Sequence, residues 1–381
     1  MSYLKPCFLY LGTFLEDEYL DAKELHLLWI AEGMVLSEHR RNGETLLNVA
    51  ERYLVELGQR SMVQMQVNGF STSCRLHLHD VMRDFCLKKG REEEFSEVID
   101  LRGVEKPLLD SVSHTNNDVY RLVVHINTNV ETPVNANAIV EDFKQLCCLL
   151  FRNSDGAWCS RKKIIWAEGL NVNYKTFKSL RVLKFDKYDF EGQDLATGLE
   201  KLIHLRLLCF RGCNFDLSGL PSSITELPFL QTLDLRVSYL SKMPNVFLYA
   251  FNVIEMPNVL GKMKSLRHLY LPTSAGIEVK EKVRLYGLSE LERLEGFLSD
   301  RDEIADLYEL PNLRVLDVAV TNNEGLCAIM NYMNISGKNL PEISLTLSGV
   351  LSIESEQGSI LLRSLLAFEN LHHLSKFPRY E

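Results

Sequence analysis

The chain has 381 residues, 46% hydrophobic and 24% charged, a composition that excludes wholesale disorder and is long enough for two or more domains. Its formal charge of −9 excludes the concentrated Lys and Arg surface that phosphate-backbone binding needs, so nucleic acid is not expected as a partner. Nine cysteines, an odd number with no CxxC pair and no secretory leader, predict reduced, mostly buried thiols in the cytoplasm or nucleus.

The first apolar run, Pro6 to Leu15, is too short to span a membrane and meets Glu16, Asp17 and Glu18 at once. In DAKELHLLWIAEGMV, Asp21 is placed to cap a helix with Glu24 three residues on. Leu25, Leu28 and Trp29 set one apolar stripe and Gly33 ends it. A second helix is predicted over Thr45–Arg60, where Val49, Ala50, Tyr53, Leu54 and Leu57 recur at helical spacing. Two strands follow, near Val63–Val67 and Arg75–His79, joined by the turn-rich NGFSTS. Helices followed by a hairpin is a winged-helix order, expected over residues 1–95. The polar stretch 96–119 reads as a linker.

From about residue 120 the chain repeats itself. FKSLRVLKF, LIHLRLLCF, LPFLQTLDL, MKSLRHLYL, LSELERLEG and LPNLRVLDV align Leu180, Leu205, Leu230, Leu266, Leu291 and Leu313, spaced 25, 25, 36, 25 and 22 apart. All but one interval fall in the period of about 20–29 residues that leucine-rich repeats show. LxxLxL turns alternate strand residues inward, and such a strand buries that face only by stacking on copies of itself. Eight residues after each of these leucines stand Tyr188, Cys213, Ser238, Ser274, Ser299 and Thr321, mostly small residues at the turn. LPSSITEL and MPNVLGKM supply an outer-face turn. Less regular strands are expected near Tyr120–Ile126, Leu146–Phe151, Leu345–Leu347 and Leu371–Leu374. The long interval has a readable cause, because MPNV occurs at 243–246 and again at 256–259. A local insertion is expected to bulge there on the convex side. The expected fold class is therefore α/β overall, an α+β winged helix followed by a leucine-rich-repeat solenoid over 120–381.

CFLYLGTFLED (7–17), LHLLWIAEGMV (25–35) and RLHLHDVMRDFC (75–86), ahead of these repeats, resemble the later part of the plant nucleotide-binding leucine-rich-repeat (NB-LRR) disease resistance proteins, coiled-coil subgroup. The resemblance implies an intracellular immune receptor that switches between ADP and ATP, sensing a pathogen effector or a guarded host protein. It also implies a coiled coil and a phosphate-loop (NB-ARC) core as the receptor domains that the segment works with. No GxxxxGK is found here, since neither Gly261-Lys262 nor Gly337-Lys338 has the required earlier glycine, so no cofactor is expected for this chain alone. Leu15 stands where the family has proline in an FPED-like element, which leaves the turn backbone less constrained.

By the same resemblance Leu78, His79 and Asp80 match the family's Met-His-Asp motif, whose histidine touches the β-phosphate of ADP. Independently, Asp80 before VMRDFCL is placed to cap a helix, and a helix start favours anions. The alternative from spacing alone is that Leu76 and Leu78 face inward while His77 and His79 end a wing strand facing out. One hydrogen bond to a charged group is worth roughly 1.5–3 kcal/mol, and even millimolar binding needs about 4, so His79 alone should not hold ADP. His77, His79 and Asp80 lack a further placed ligand for a metal. A winged helix can also read DNA, but residues 1–95 carry 11 Lys and Arg against 15 Asp and Glu.

The outward strand positions Lys184, Cys209, Asp234, Tyr270, Glu295 and Asp317, with Arg236 and His268 beside them, form the expected partner-binding ladder, or else a face that docks on the winged helix. No GxSxG, HExxH, EF-hand or dinucleotide fingerprint is present, so an enzyme is not expected. The alternative function is a free-standing repeat adaptor or decoy.

Overall fold

A computed structural model of the chain describes residues 2–16, 18–67, 74–102, 119–126, 140, 143, 145–153, 164–165, 177–190, 198–213, 222–236, 259–272, 282–336, 340–348 and 363–377. Contacts divide it into two compact units. The first comprises Met1–Tyr188 with Lys201–Cys209, and the second Asp189–Glu200 with Phe210–Glu381.

In the first unit the opening apolar run forms α1 (Leu4–Leu11). Pro6 is tolerated because it lies in the first turn, whose N–H groups have no helical partner. β1 (Leu20–Asp21) leads into α2 (Ala22–Glu32), where the Asp21 side chain accepts from Lys23 N at 2.8 Å and Gly33 closes the helix at φ +79°. The Glu24 carboxylate, expected to complete the cap, reaches cations on distant strands. The α2 helix is not striped as expected. Nearly all its residues are buried, His26 and Glu32 among them, because α3, the hairpin and two solenoid strands all pack on it.

α3 (Leu46–Gln59) starts with a reciprocal cap between Thr45 and Asn48. β2 (Gln64–Val67) and β3 (Cys74–His77) pair antiparallel from Gln64↔His77 to Val67↔Cys74, with β1 on the other side of β3. The NGFSTS turn lies outside the described residues. α4 (Asp80–Glu92) follows and crosses α1 closely, since a Cβ on Gly12 would lie 2.4 Å from Cys86 Cβ.

The parallel sheet begins earlier than expected. β4 (Glu97–Asp100), inside the supposed linker, pairs with β5 (Arg121–Ile126) because Ile99 is an apolar residue with a sheet to bury against. β6 (Cys148–Asn153), β7 (Val182–Asp186) and β8 (Leu207–Cys209) continue it in parallel, with Leu149, Leu183 and Leu208 in register.

The second unit stacks β9 (Thr232–Asp234), β10 (His268–Tyr270), β11 (Arg293–Leu298), β12 (Val315–Val320), β13 (Glu342–Ser348) and β14 (Leu371–Phe377) in parallel. Leu233, Leu269, Leu294, Leu316 and Ile343 align across them, all fully buried. The outer-face turns form as short helical turns, with Ile224 and Leu260 buried beneath them. At the small-residue position, Ser299 Oγ accepts from Thr321 N at 3.4 Å. One outer connection grows into α5 (Asn323–Ser336), unforeseen, which buries Leu326, Ile329, Tyr332 and Met333 along one face and starts with Asn322 accepting from Gly325 N at 2.7 Å. The expected bulge at 243–256, and Ser238 and Ser274, lie outside the described residues.

Candidate functional site

β5, β6 and β7 pair so that His125, Arg152 and Asp186 form one row, and Val123, Leu150 and Lys184 the row beside it. All share strand parity, so they stand on the face opposite the leucines. On a free face the charged ones would be solvated. Here the winged-helix elements of the same unit cover them: Arg152 and Lys184 are buried and the Lys184 side chain is 2% exposed.

Three carboxylates come from the winged-helix side. Glu24, in the first turn of α2, pairs with Lys184 and, at 3.2 Å, with Arg152. Glu18, just before β1, pairs with Arg152 as well. Glu32, two turns beyond Glu24, has its Oε2 2.8 Å from Arg121 Nε. That N–H points off the line of contact, so the pair is ionic rather than an aligned hydrogen bond. Asp186 completes the group, 3.0 Å from Lys184 Nζ and 3.5 Å from Arg152 Nη1. Each buried charge therefore has an opposite one, without which burial would cost several kcal/mol per ion.

The electrostatics follow from this pairing. Burial alone would push the Lys184 ammonium down, but Asp186 and Glu24 outweigh it and hold it at about 12. Burial would raise the Glu18 carboxyl, yet Arg152 holds it below the usual carboxylate range. His125 is driven down to about 4 by burial, so it is neutral and its Nε2–H donates to Thr13 O at 2.8 Å. Arg152 also lies over the Phe14 ring, 4.8 Å from its centroid. Tyr10 and Cys148 meet at 3.5 Å between their Oη and Sγ atoms.

Two members of the expected partner-binding ladder are thus placed otherwise. Lys184 and Cys209 lie buried in the first unit, and Lys184 is committed to internal pairing. Sequence reasoning missed Glu18, Glu24, Glu32, Arg121, Arg152 and Asp186. For the strand residues the signal was charge within otherwise apolar strands, Arg121 in RLVVHI, Arg152 in CLLFRN and Asp186 in VLKFD.

In the second unit the structure brings Asp234, Arg236, Tyr270 and Glu295 together. Arg236 Nε and Nη2 donate to the two Asp234 oxygens at 2.9 and 2.5 Å, while its guanidinium stacks 4.3 Å from the Tyr270 centroid, with Glu295 at 3.7 Å. Burial would raise the Asp234 carboxyl, but Arg236 holds it low. His268 Nδ1 meets Thr232 Oγ1 at 3.0 Å, and burial depresses the ring to about 3, so it too is neutral. Asp317, half-buried, accepts from Gly296 N at 3.3 Å. Tyr270 and His268 are buried rather than exposed, because close-packed neighbouring rows leave each ring little solvent.

The His79-Asp80 corner is exposed. Leu76 and Leu78 face inward as expected. The expected cap shifts by one residue: His79 is the capping position, its carbonyl accepting from Met82 N and Arg83 N at 2.8 and 2.9 Å, and Asp80 is the first helical residue. A carboxylate there still complements the helix dipole.

Residues 13–86 match the model of the disease resistance protein winged helix domain, and residues 164–380 match a leucine-rich repeat region. Among relatives in Arabidopsis thaliana, the protein titled Probable disease resistance protein RXW24L is 32% identical over 330 residues, covering 85% of this chain and 33% of its own length. Another, Probable disease resistance RPP8-like protein 2, is 29% identical over 382 residues, covering 98% of this chain and 38% of its own. The chain thus spans about a third of the length of the curated relatives it matches. Among solved structures, the plant peptide hormone receptor RGFR1 in complex with RGF2 is similar at a TM-score of 0.32 and 14% identity, over 74% of this chain and 50% of that one. Among the described residues no helix is long and apolar enough to cross a membrane.

Proposed function

Because this chain belongs to the plant disease resistance proteins, through its winged-helix and leucine-rich-repeat regions, we propose that it is the regulatory and effector-sensing half of an intracellular nucleotide-switching immune receptor. One observation carries the reading: Glu24 of the winged-helix part is paired with Lys184 and Arg152 of the first repeats in a buried cluster. Such a cluster resists gradual separation, since parting the surfaces leaves several desolvated charges without partners until water reaches them. It suits a latch with two states.

In this reading the winged helix is the side that answers to nucleotide, with His79 and Asp80 offered at an exposed corner to an ADP phosphate held by a separate nucleotide-binding core. The repeats are the restraint. A pathogen effector or a guarded host protein meets the half-buried Arg236, Glu295 and Asp317, where an Arg held in place by the buried Asp234 and Tyr270 is the kind of side chain that anchors protein interfaces. The protein works without an enzymatic step of its own, in the cytoplasm or nucleus.

The test is co-expression with a separately supplied coiled-coil and nucleotide-binding half of a related receptor. Association is expected and should be lost with Glu24→Lys, then partly regained with Glu24→Lys combined with Lys184→Glu. If partners bind the repeats alone and residues 1–95 are dispensable, the protein is a repeat adaptor or decoy instead.

A further inference from the structure

The buried cluster leaves one pair of cations without a role. α2 ends at Gly33, which is exposed and left-handed at φ +79°. Arg181, in the turn before β7, and Arg206, in the turn before β8, both reach this helix end. The place a Cβ would take on Gly33 lies 3.6 Å from Arg206 Nη1 and 3.7 Å from Arg181 Nη1, and among the described residues, chain neighbours aside, no other side chain comes within 4 Å of it. Two guanidinium groups therefore flank a space that is open because residue 33 is glycine.

The helix end accounts for only one of them. Arg181 Nη1 donates to Glu32 O at 3.0 Å, which satisfies a terminal carbonyl and the negative end of the helix dipole. The Arg206 backbone N–H donates to Arg181 O at 2.8 Å, but its guanidinium makes no hydrogen bond or ion pair among the described residues. Burial and the neighbouring Arg181 both disfavour its charged form. A helix terminus carries only about half an elementary charge, so two converging cations leave positive charge uncompensated.

We propose that Arg181 and Arg206, arranged over Gly33, form a binding site for a phosphate-type dianion. Guanidinium forks match the oxygens of phosphate geometrically and stay charged at every physiological pH. A dianion compensates both cations, whereas a carboxylate compensates one. The ligand would touch the end of α2 and two solenoid turns at once, so occupancy would hold these parts of the first unit together. The source is either free phosphate or a phosphorylated side chain of a partner.

The experiment is calorimetric titration of the full chain with inorganic phosphate at constant ionic strength. A phosphoserine peptide and its unphosphorylated counterpart are then titrated in the same way. Saturable phosphate binding is expected, weakened roughly tenfold or more in Arg206→Gln and in Arg181→Gln, since each removes a charged hydrogen-bonding partner. Circular dichroism should show both variants folded, and Arg206→Gln breaks no internal bond. Tighter binding of the phosphoserine peptide than of phosphate supports a partner's side chain as the source, and equal binding supports free phosphate. No saturable binding of either, or the same binding in the parent and in Arg206→Gln, overturns the site.

Discussion

Glu24→Gln is the sharpest probe of the buried cluster. The change keeps side-chain size while removing the carboxylate that Lys184 and Arg152 share. Breaking a buried pair by deleting one partner costs about 3–5 kcal/mol when the other charge is left alone. Lys184 is not left alone here, since Asp186 remains 3.0 Å away, and Arg152 keeps Glu18. The loss should therefore fall below that range, at about 2 kcal/mol, or roughly thirtyfold in the opening equilibrium. Hydrogen exchange read on peptides covering α2 and β7 measures that opening directly, with β12 in the other unit as the internal control. Adding Lys184→Met removes the under-compensated ammonium, so the double variant should lose less than the two single losses combined. Unchanged exchange in α2 and β7 for Glu24→Gln, or strictly additive losses in the double variant, would refute the reasoning.

Acid should loosen the protein before its carboxylates titrate. His26 and His125 are pulled down to about 4 by burial, against about 6.5 when unfolded, so the unfolded chain binds more protons between these values. Stability is fully present above about pH 6.5 and declines as the pH falls towards 4, by about 3 kcal/mol per histidine. Melting temperature followed across this range should drop, and His125→Gln, which keeps a donor for Thr13 O, should flatten the drop. Gly12→Ala forces a Cβ to 2.4 Å from Cys86 Cβ and should cost about 1–3 kcal/mol or more in urea unfolding. An unaltered midpoint would mean α1 and α4 part easily. Asp306→Ala removes the carboxylate that accepts from Leu285 N and Tyr286 N, buried and half-buried respectively, at 2.7 and 3.3 Å. A loss of about 1–3 kcal/mol is expected, and no loss would show that water replaces the carboxylate. ADP should bind this chain more weakly than millimolar in a titration, since His79 offers one contact, and a micromolar value would reveal a second phosphate contact.

Much of the architecture was legible in local pattern. Leu180, Leu205, Leu230, Leu266, Leu291 and Leu313 recur because each strand can bury its leucines only against a like neighbour, so the requirement is written into every repeat. Asp21 and Gly33 mark the ends of α2 through side-chain capping and backbone freedom, which are properties of single residues. β4 escaped notice because four residues of mixed character declare a strand only when β5 is there to pair with. α5 escaped because its repeat period of apolar residues falls where a short outer turn was expected.

The candidate site was far less legible. Lys184 and Asp234 occupy matching places in their repeats, and nothing local distinguishes them. Sequence alone determined that both stand on the face opposite the leucines, because strand alternation is a covalent consequence of the backbone. Only the tertiary structure decided that Lys184 meets Glu24 beneath α2 whereas Asp234 holds Arg236 against Tyr270. Charge pairing across 160 residues depends on which surfaces meet, and a single repeat carries no record of its partner. The solenoid is a local property repeated, and the buried charge cluster is a long-range one made once.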